Sequence, residues 1–395
     1  MLLKDHRLYI VFSITLMGIM GVSSIAPAFP RIAERLALSS QQVGLLLTVF
    51  TVPGIVLAPL LGFLADRFGR KTILVPALLT FALAGSACAL SPSFPVLLLL
   101  RFFQGAGAAS LTSLSVTLLG DIYSGETRER AVGYNASALS IGTASFPVIG
   151  GALTTFGWQY PFLLPLLALP VALLVLAKLD VPGAASDGTE AKRAETPSPM
   201  QQIRAVLRNA HEQGIIRLSV LAVLVFVLLY GAYLSYVPFL LEGRFEASPA
   251  VVGLIMSTMS IATAVTAAQR GLVSRHLSTR AALSLAFVLY AVALALIPLI
   301  PAIWLMPVAT LIYGVAQGLT IPTVQSQIAA RAPMELRAAT VAANAMAIRV
   351  GQTAGPVLGG AAFAVGGADT VFWSASALPA VMLLALWLRR SERDA

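Results

Sequence analysis

Apolar runs of about twenty residues alternate with short polar gaps along the whole chain. A helix that crosses a bilayer needs ~20 mostly apolar residues. By that rule twelve spans fall near 8–29, 43–65, 73–91, 95–120, 130–156, 159–178, 215–240, 249–270, 281–299, 302–326, 338–365 and 368–389. Their length and the lack of two-residue alternation predict helices rather than strands. The longest polar gap, 179–214, divides the runs into six and six. The predicted fold is an all-α membrane protein: an N-terminal six-helix bundle over 1–178, a linker over 179–214 and a C-terminal six-helix bundle over 215–395. The linker opens with small polar residues and reads as flexible. It continues as SPMQQIRAVLRNAHEQ. There Ser198 can cap a helix with Pro199 in its first turn, and Ile203, Val206, Leu207 and Ala210 share one face. That predicts an amphipathic helix on the membrane surface, with a plain tether as the competing reading.

Composition supports the bilayer as solvent. Charged residues make up 11% of the chain, against about 25% in soluble domains. The net charge of +9 is unevenly placed. With both termini inside, the outer gaps hold Arg31, Arg35 and Arg244, whereas the inner gaps hold Arg67, Arg70, Lys71, Arg128, Arg130, Arg275, Arg280, Arg331 and Arg337. Such asymmetry sets orientation, so both ends are expected in the cytoplasm, in a multi-pass protein of a plasma membrane of the bacterial inner-membrane type. The positive charge therefore calls for no nucleic acid. Lys4 and Arg7 precede an apolar stretch ending Ala26-Pro27-Ala28, like a signal peptide, but its spanning length favours an uncleaved first helix. One cysteine, Cys88, excludes a disulfide framework, and His6, His211 and His276 lack metal-ligand spacing. No phosphate loop or nucleophile elbow occurs. We expect no enzyme, no cofactor and no metal; the expected partners are lipid and a small-molecule substrate, and the expected assembly is a monomer.

The two halves are repeats. A shift of 209 lays residues 125–151 on 334–360 without gaps, and eleven positions from Glu126 to Gly151 are identical, among them Arg128/Arg337, Asn135/Asn344 and Pro147/Pro356. Chance similarity between apolar helices does not explain matched charges in loops. Two related bundles about an axis along the membrane normal form a transporter architecture with its site at the midplane.

Three stretches now carry a family resemblance. Gly62-x-x-x-Asp66-Arg67-x-Gly69-Arg70-Lys71 resembles the signature between helices 2 and 3 of the major facilitator superfamily. Arg101-x-x-Gln104-Gly105-x-Gly107 is similar to the helix 4 motif of its proton-linked members. Gly142 with Pro147-x-x-Gly150-Gly151 resembles the helix 5 antiporter motif of the twelve-span drug:proton antiporter branch, although Phe146 stands where glycine is usual. The second copy does read Gly355-Pro356, followed by Gly359-Gly360. The resemblance implies pseudo-twofold bundles that rock about a central site. It also implies a charge latch in which the Asp66 cluster meets helix 11 and Asp121 in the outward-facing state.

The residues themselves add candidates. Asp66, at the end of a span, needs a basic partner: Arg67, Arg70 or an arginine of a neighbouring helix. Arg101 lies inside span 4 with Gln104 at i+3 on the same face; it is either a cavity charge or a structural arginine. Arg349 lies near the middle of span 11 with Gln352 at i+3, and matches Ser140 in the other half. A central cation suits an anionic or polar substrate or a lipid headgroup, with a structural pair as the competing reading. No Asp or Glu occupies the middle of any span, which weakens a cationic-drug reading and leaves Asp66 or Asp121 to carry protons, poised by Arg101. Tyr233, Tyr236, Tyr313 and Gln317, with Met17 and Met20, are further pocket candidates, with ordinary packing as the competing reading. Gly142, Pro147, Gly150, Gly151, Gly355, Pro356, Gly359 and Gly360, like Gly62 and Gly69, bend helices or allow close approach. The expected function is rocker-switch export of amphipathic small molecules or drugs driven by the proton gradient. A facilitator or importer of an organic anion or sugar, and a non-transporting membrane sensor or scaffold, are the rivals.

Overall fold

A computed structural model describes residues 2–179 and 199–387, which form helices and turns and, among the described residues, no strand. Ten segments give spans 1 to 10: His6–Leu36, Ser40–Phe68, Arg70–Leu90, Phe94–Ile122, Gly125–Thr154, Tyr160–Lys178, Ile215–Phe245, Pro249–Ala268, Thr279–Leu299 and Ile303–Arg331. An eleventh, Arg337–Trp387, contains spans 11 and 12, folded over where Gly366 and Gly367 leave helical geometry. Gly367 has φ of 73°, a conformation open to glycine. The apolar runs thus locate all twelve spans, including the break after residue 365.

Span 1 is longer than its apolar run. The helix turns tightly at Ala26–Ala28 and continues as Phe29–Leu36, ending at Ala37 in left-handed geometry. Arg31 and Arg35 are therefore helical rather than in a loop. The reason is local: Pro27 and Pro30 sit in first turns, where a missing N–H costs little. The linker segment 180–198, with Ser198, lies outside the described residues. Pro199–Glu212 is a helix as predicted, with Val206 and Ala210 buried and Leu207 exposed.

Two interior breaks position the functional groups. Span 4 loses helical continuity at Ala109 and Ser110. Span 7 widens into a π-turn at Leu229–Leu234, upstream of Pro238. Proline lacks the N–H that would bond Leu234, and the wide turn takes up the mismatch. The Ser235 hydroxyl donates to the Tyr230 carbonyl at 2.6 Å.

The halves meet along two seams, span 5 with span 8 and span 2 with span 11. The 209 shift relates them: it carries Gly44 onto Gly253 and Pro147 onto Pro356. A Cβ on Gly253 would lie 2.9 Å from the Pro147 carbonyl carbon, and one on Gly44 would lie 3.5 Å from Pro356. Both contacts, with Gly151 against Pro249 and Gly360 against Gln41, lie toward the end away from the termini, the far end. At the terminus end the glycines of these helices face open space. Gly62, Gly133 and Gly271 have no atom within 4 Å of an added Cβ. Every inter-half hydrogen bond or ion pair among the described residues lies at mid-depth or beyond, toward the far end.

Candidate functional site

At the terminus end, Gly69 with φ of 95° makes the tight turn between spans 2 and 3. The turn places Arg70 between two acids. Its Nη1 is 2.5 Å from Asp66 Oδ1 and its Nε 2.9 Å from Asp121 Oδ2. Arg70, rather than Arg67, is thus the partner that Asp66 needs; Arg67 lies over its neighbour Phe68. Asp66 remains 64% exposed. The Asp121 part of the implied latch is thus already formed, contrary to the expectation that it belongs to the outward-facing state, while a Cβ added to Gly62 would have no atom within 4 Å.

Arg101 is completely buried within the N-terminal half. Its Nε donates to the Leu46 carbonyl at 3.2 Å, and its Nη1 to the Gly21 carbonyl at 2.9 Å and to Gln104 Oε1 at 2.6 Å. The Phe50 ring lies 4.3 Å from its guanidinium carbon, a cation–π distance. The i+3 pairing predicted for Gln104 is present. In this conformation the arginine ties spans 1, 2 and 4 together and is sealed from the space between the halves. Met17 and Met20 are also buried in this half.

Arg349 stands on the seam itself. From span 11 its Nη2 donates to the Ala109 carbonyl of span 4 at 2.9 Å, where the break frees that carbonyl from the helical ladder. Gly54 of span 2 gives it room: a Cβ there would come within 2.8 Å of the guanidinium carbon. Toward the far end, Thr48 donates to the Thr353 carbonyl at 3.1 Å, and the Thr51 and Thr353 hydroxyls are 2.9 Å apart. Gln352 is half-buried beside them.

The aromatic candidates group inside the C-terminal half. Tyr233 stacks on Tyr313 at 5.1 Å, and Tyr290 meets Tyr313 edge-on at 4.9 Å. Tyr290 also donates to Gln317 Oε1. Tyr236 lies apart from them, stacked on Phe363 at 5.3 Å. All four tyrosines are fully buried, so here they pack rather than line an open space. Among the glycines, Gly150 receives Ser24 of span 1, Gly142 receives Leu16 and Ile19, and Gly355 and Gly359 receive Gly231 of span 7. A groove of about 540 Å³ runs beside the seam of spans 5 and 8. Its lining is apolar apart from Ser145, Ser257 and Thr258, and it is remote from Arg349.

Sequence reasoning missed two clusters. At the far end Arg31 meets Glu242 of the other half at 3.2 Å and its own neighbour Glu34 at 3.2 Å. At the terminus end Asp5 caps span 1, accepting from the Arg7 backbone at 2.9 Å and from the Tyr123 hydroxyl at 2.9 Å. The hydrogen-bonded Arg7 guanidinium holds the Asp5 carboxyl down at about 2, and burial, together with its bond to Asp5, raises the Tyr123 hydroxyl. The Asp-x-Arg spacing ahead of an apolar run was a visible capping signal.

With this geometry in view, comparison with known proteins is decisive. The profile of the Major Facilitator Superfamily matches residues 11–246 and 219–395. The chain belongs to that superfamily. The family and the fold are those of multi-pass membrane transporters, which are not enzymes. It is 32% identical over 157 residues to the bacillibactin exporter of Bacillus subtilis (strain 168), covering 38% of this chain and 39% of that one. It is 29% identical over 194 residues to multidrug resistance protein 1 of the same organism, covering 49% and 50%. The matched stretches thus span half or less of those relatives. Among solved structures, a bacterial homologue of the human lysosomal transporter Spinster, inward-facing and occupied, superposes with a TM-score of 0.77 at 18% identity, over 98% of this chain and 97% of that one. The D-xylose–proton symporter gives a TM-score of 0.77 at 16% identity, over 98% of each chain. At such identities the likeness is one of fold.

Proposed function

We propose that the protein is a secondary active transporter that exports amphipathic small molecules by rocker-switch alternating access, driven by the proton gradient. The observation that carries this reading is the seam between the repeats. It is shut at the far end by two symmetry-related Gly–Pro contacts, and among the described residues no hydrogen bond or ion pair joins the halves at the terminus end. Two copies of one closure, on either side of a central space, are what a bundle that rocks about that space requires. The arginine-rich terminus end is cytoplasmic in this reading, in a bacterial inner membrane, so this conformation faces inward and the chain works as a monomer. Asp66 and Asp121 share Arg70 at the open mouth, where cytoplasmic water reaches them, and are the proposed proton-coupling groups; Arg101 is the fixed charge that organises the half carrying them. Similarity to a siderophore exporter and a multidrug resistance protein supports export.

A facilitator or importer of an organic anion or sugar is the second reading, favoured by Arg349 and the absence of a mid-span carboxylate. Reconstitution decides between them. In proteoliposomes with an imposed pH gradient, rhodamine 6G and carboxyfluorescein should move against their gradients, and Asp66→Asn or Asp121→Asn should abolish the coupling. Flux indifferent to the pH gradient sinks the antiport reading in favour of the facilitator.

A further inference from the structure

Arg349 is a cation at mid-depth held by a single neutral acceptor. Its hydrogen bond is to the Ala109 carbonyl across the seam, and among the described residues no carboxylate lies within ion-pair distance of it. A charge in so apolar a setting is costly unless paired. Its twin in the other half, Ser140, bonds only its own helix, at the Ala136 carbonyl, so the repeat does not account for the arginine. Nor is it packed out of reach, since it is only partly buried. It also marks a boundary. Beyond it, toward the far end, the halves are joined by Thr48, Thr51 and Thr353; on the other side Val341, two to three turns nearer the open mouth on the same helix, is 44% exposed.

We infer that Arg349 is the recognition site for the carboxylate of an amphipathic organic anion, and that binding it releases the guanidinium from the Ala109 carbonyl of span 4. The step is an exchange of hydrogen-bond acceptors. A carboxylate offers two oxygens to the planar guanidinium fork and full charge compensation, whereas the carbonyl offers one neutral oxygen. An anion arriving from the open mouth therefore outcompetes Ala109. Because Ala109 belongs to the opposite half, that exchange also removes a mid-depth polar tie between spans 4 and 11. Recognition thus weakens the joint between the halves at mid-depth, and a ligand shifts such an equilibrium only through its differential contacts with the two states. This inference rests on the transporter reading and narrows its substrate class.

Equilibrium binding to the purified full chain in nanodiscs tests it, with carboxyfluorescein as the anionic probe and rhodamine 6G as the cationic one. Wild type should bind carboxyfluorescein, Arg349→Gln should bind it ~tenfold or more weakly, and Arg349→Lys ~threefold more weakly, since an ammonium keeps the charge without the fork. Rhodamine 6G affinity should not fall in either variant. Spin labels on the exposed positions Glu129→Cys and Ser274→Cys, one on each half at the terminus end, should draw together on adding carboxyfluorescein to wild type but not to Arg349→Gln. Unchanged carboxyfluorescein affinity in the variants, or no binding by wild type, overturns the assignment. If Arg349→Gln does not fold, Arg349→Lys decides alone. Should rhodamine 6G be pumped in proteoliposomes while carboxyfluorescein does not bind, only this inference fails; if no dye moves at all, the transporter reading fails.

Discussion

Asp5 shows how one side chain joins the first span to the rest of its bundle. It serves the backbone of Arg7, the guanidinium of Arg7 and the hydroxyl of Tyr123 together. Removing an N-cap acceptor costs about 1 kcal/mol. Asp5→Ala should therefore lower stability by about 1 kcal/mol in detergent. Asp5→Asn, which keeps an oxygen for the backbone N–H, should cost less. The pH dependence follows from the carboxyl's descent from 3.8 to about 2 on folding. A lowered folded-state value means that the contribution is complete above 3.8 and is lost as pH falls toward about 2. Thermal unfolding across that window should show wild type losing its advantage over Asp5→Asn; a constant gap would remove the ion pair from the account. Arg101 illustrates what the residue scale hides. Its presence inside a span and its pairing with Gln104 were legible, but its other acceptors are the Leu46 and Gly21 carbonyls. Any residue supplies a carbonyl, so no side-chain pattern announces that an arginine is sealed by backbone.

Among elements, the glycines separate into two classes that sequence alone treats alike. Gly253 and Gly151 face backbone across the seam of spans 5 and 8: an added Cβ would lie 2.9 Å from the Pro147 carbonyl carbon in one case and 3.0 Å from that of Pro249 in the other. Backbone cannot swing aside as a side-chain tip can. Alanine at either place should destabilise far-end closure by about 2 kcal/mol, a typical overpacking cost. Labels on the exposed positions Arg35→Cys and Ala361→Cys should then read a longer far-end separation. Gly62→Ala, with nothing within 4 Å, should leave that separation unchanged, and an equal response from all three variants would defeat the distinction. The 209 shift made the Gly–Pro copies visible, and with them the two bundles. It also relates Gly44 to Gly253, the surfaces those prolines meet. That pairing went unread because packing partners on separate helices leave no spacing signal along either one.

For the molecule as a whole, the question is what releases the far end. The Arg31–Glu242 pair joins span 1 to span 7 there, with Arg31 45% and Glu242 22% exposed. Because its Arg31 was assigned to a loop, the pair was invisible before span 1 was seen to continue as helix to Leu36. Release need not strand the arginine, since Glu34 of its own half already lies 3.2 Å away. It does relieve Glu242, whose Oε2 is buried without a hydrogen-bond partner. A tie with a ready substitute on one side and an unsatisfied oxygen on the other suits a closure that must open on each cycle. Exposed or half-exposed ion pairs contribute about 0.2–1 kcal/mol. Glu242→Gln should therefore raise the ratio of far-end-open to far-end-closed molecules by no more than about fivefold, read from the Arg35→Cys/Ala361→Cys label pair. The difference from wild type should shrink at ionic strength near 1 M, where screening acts over ~3 Å. An Arg349→Gln effect on the same labels should persist in salt, because that contact is charge to carbonyl at mid-depth. If both variants lose their effect in salt together, the Arg349 contact behaves as a screened surface tie, and its place as a sheltered mid-depth tie is wrong.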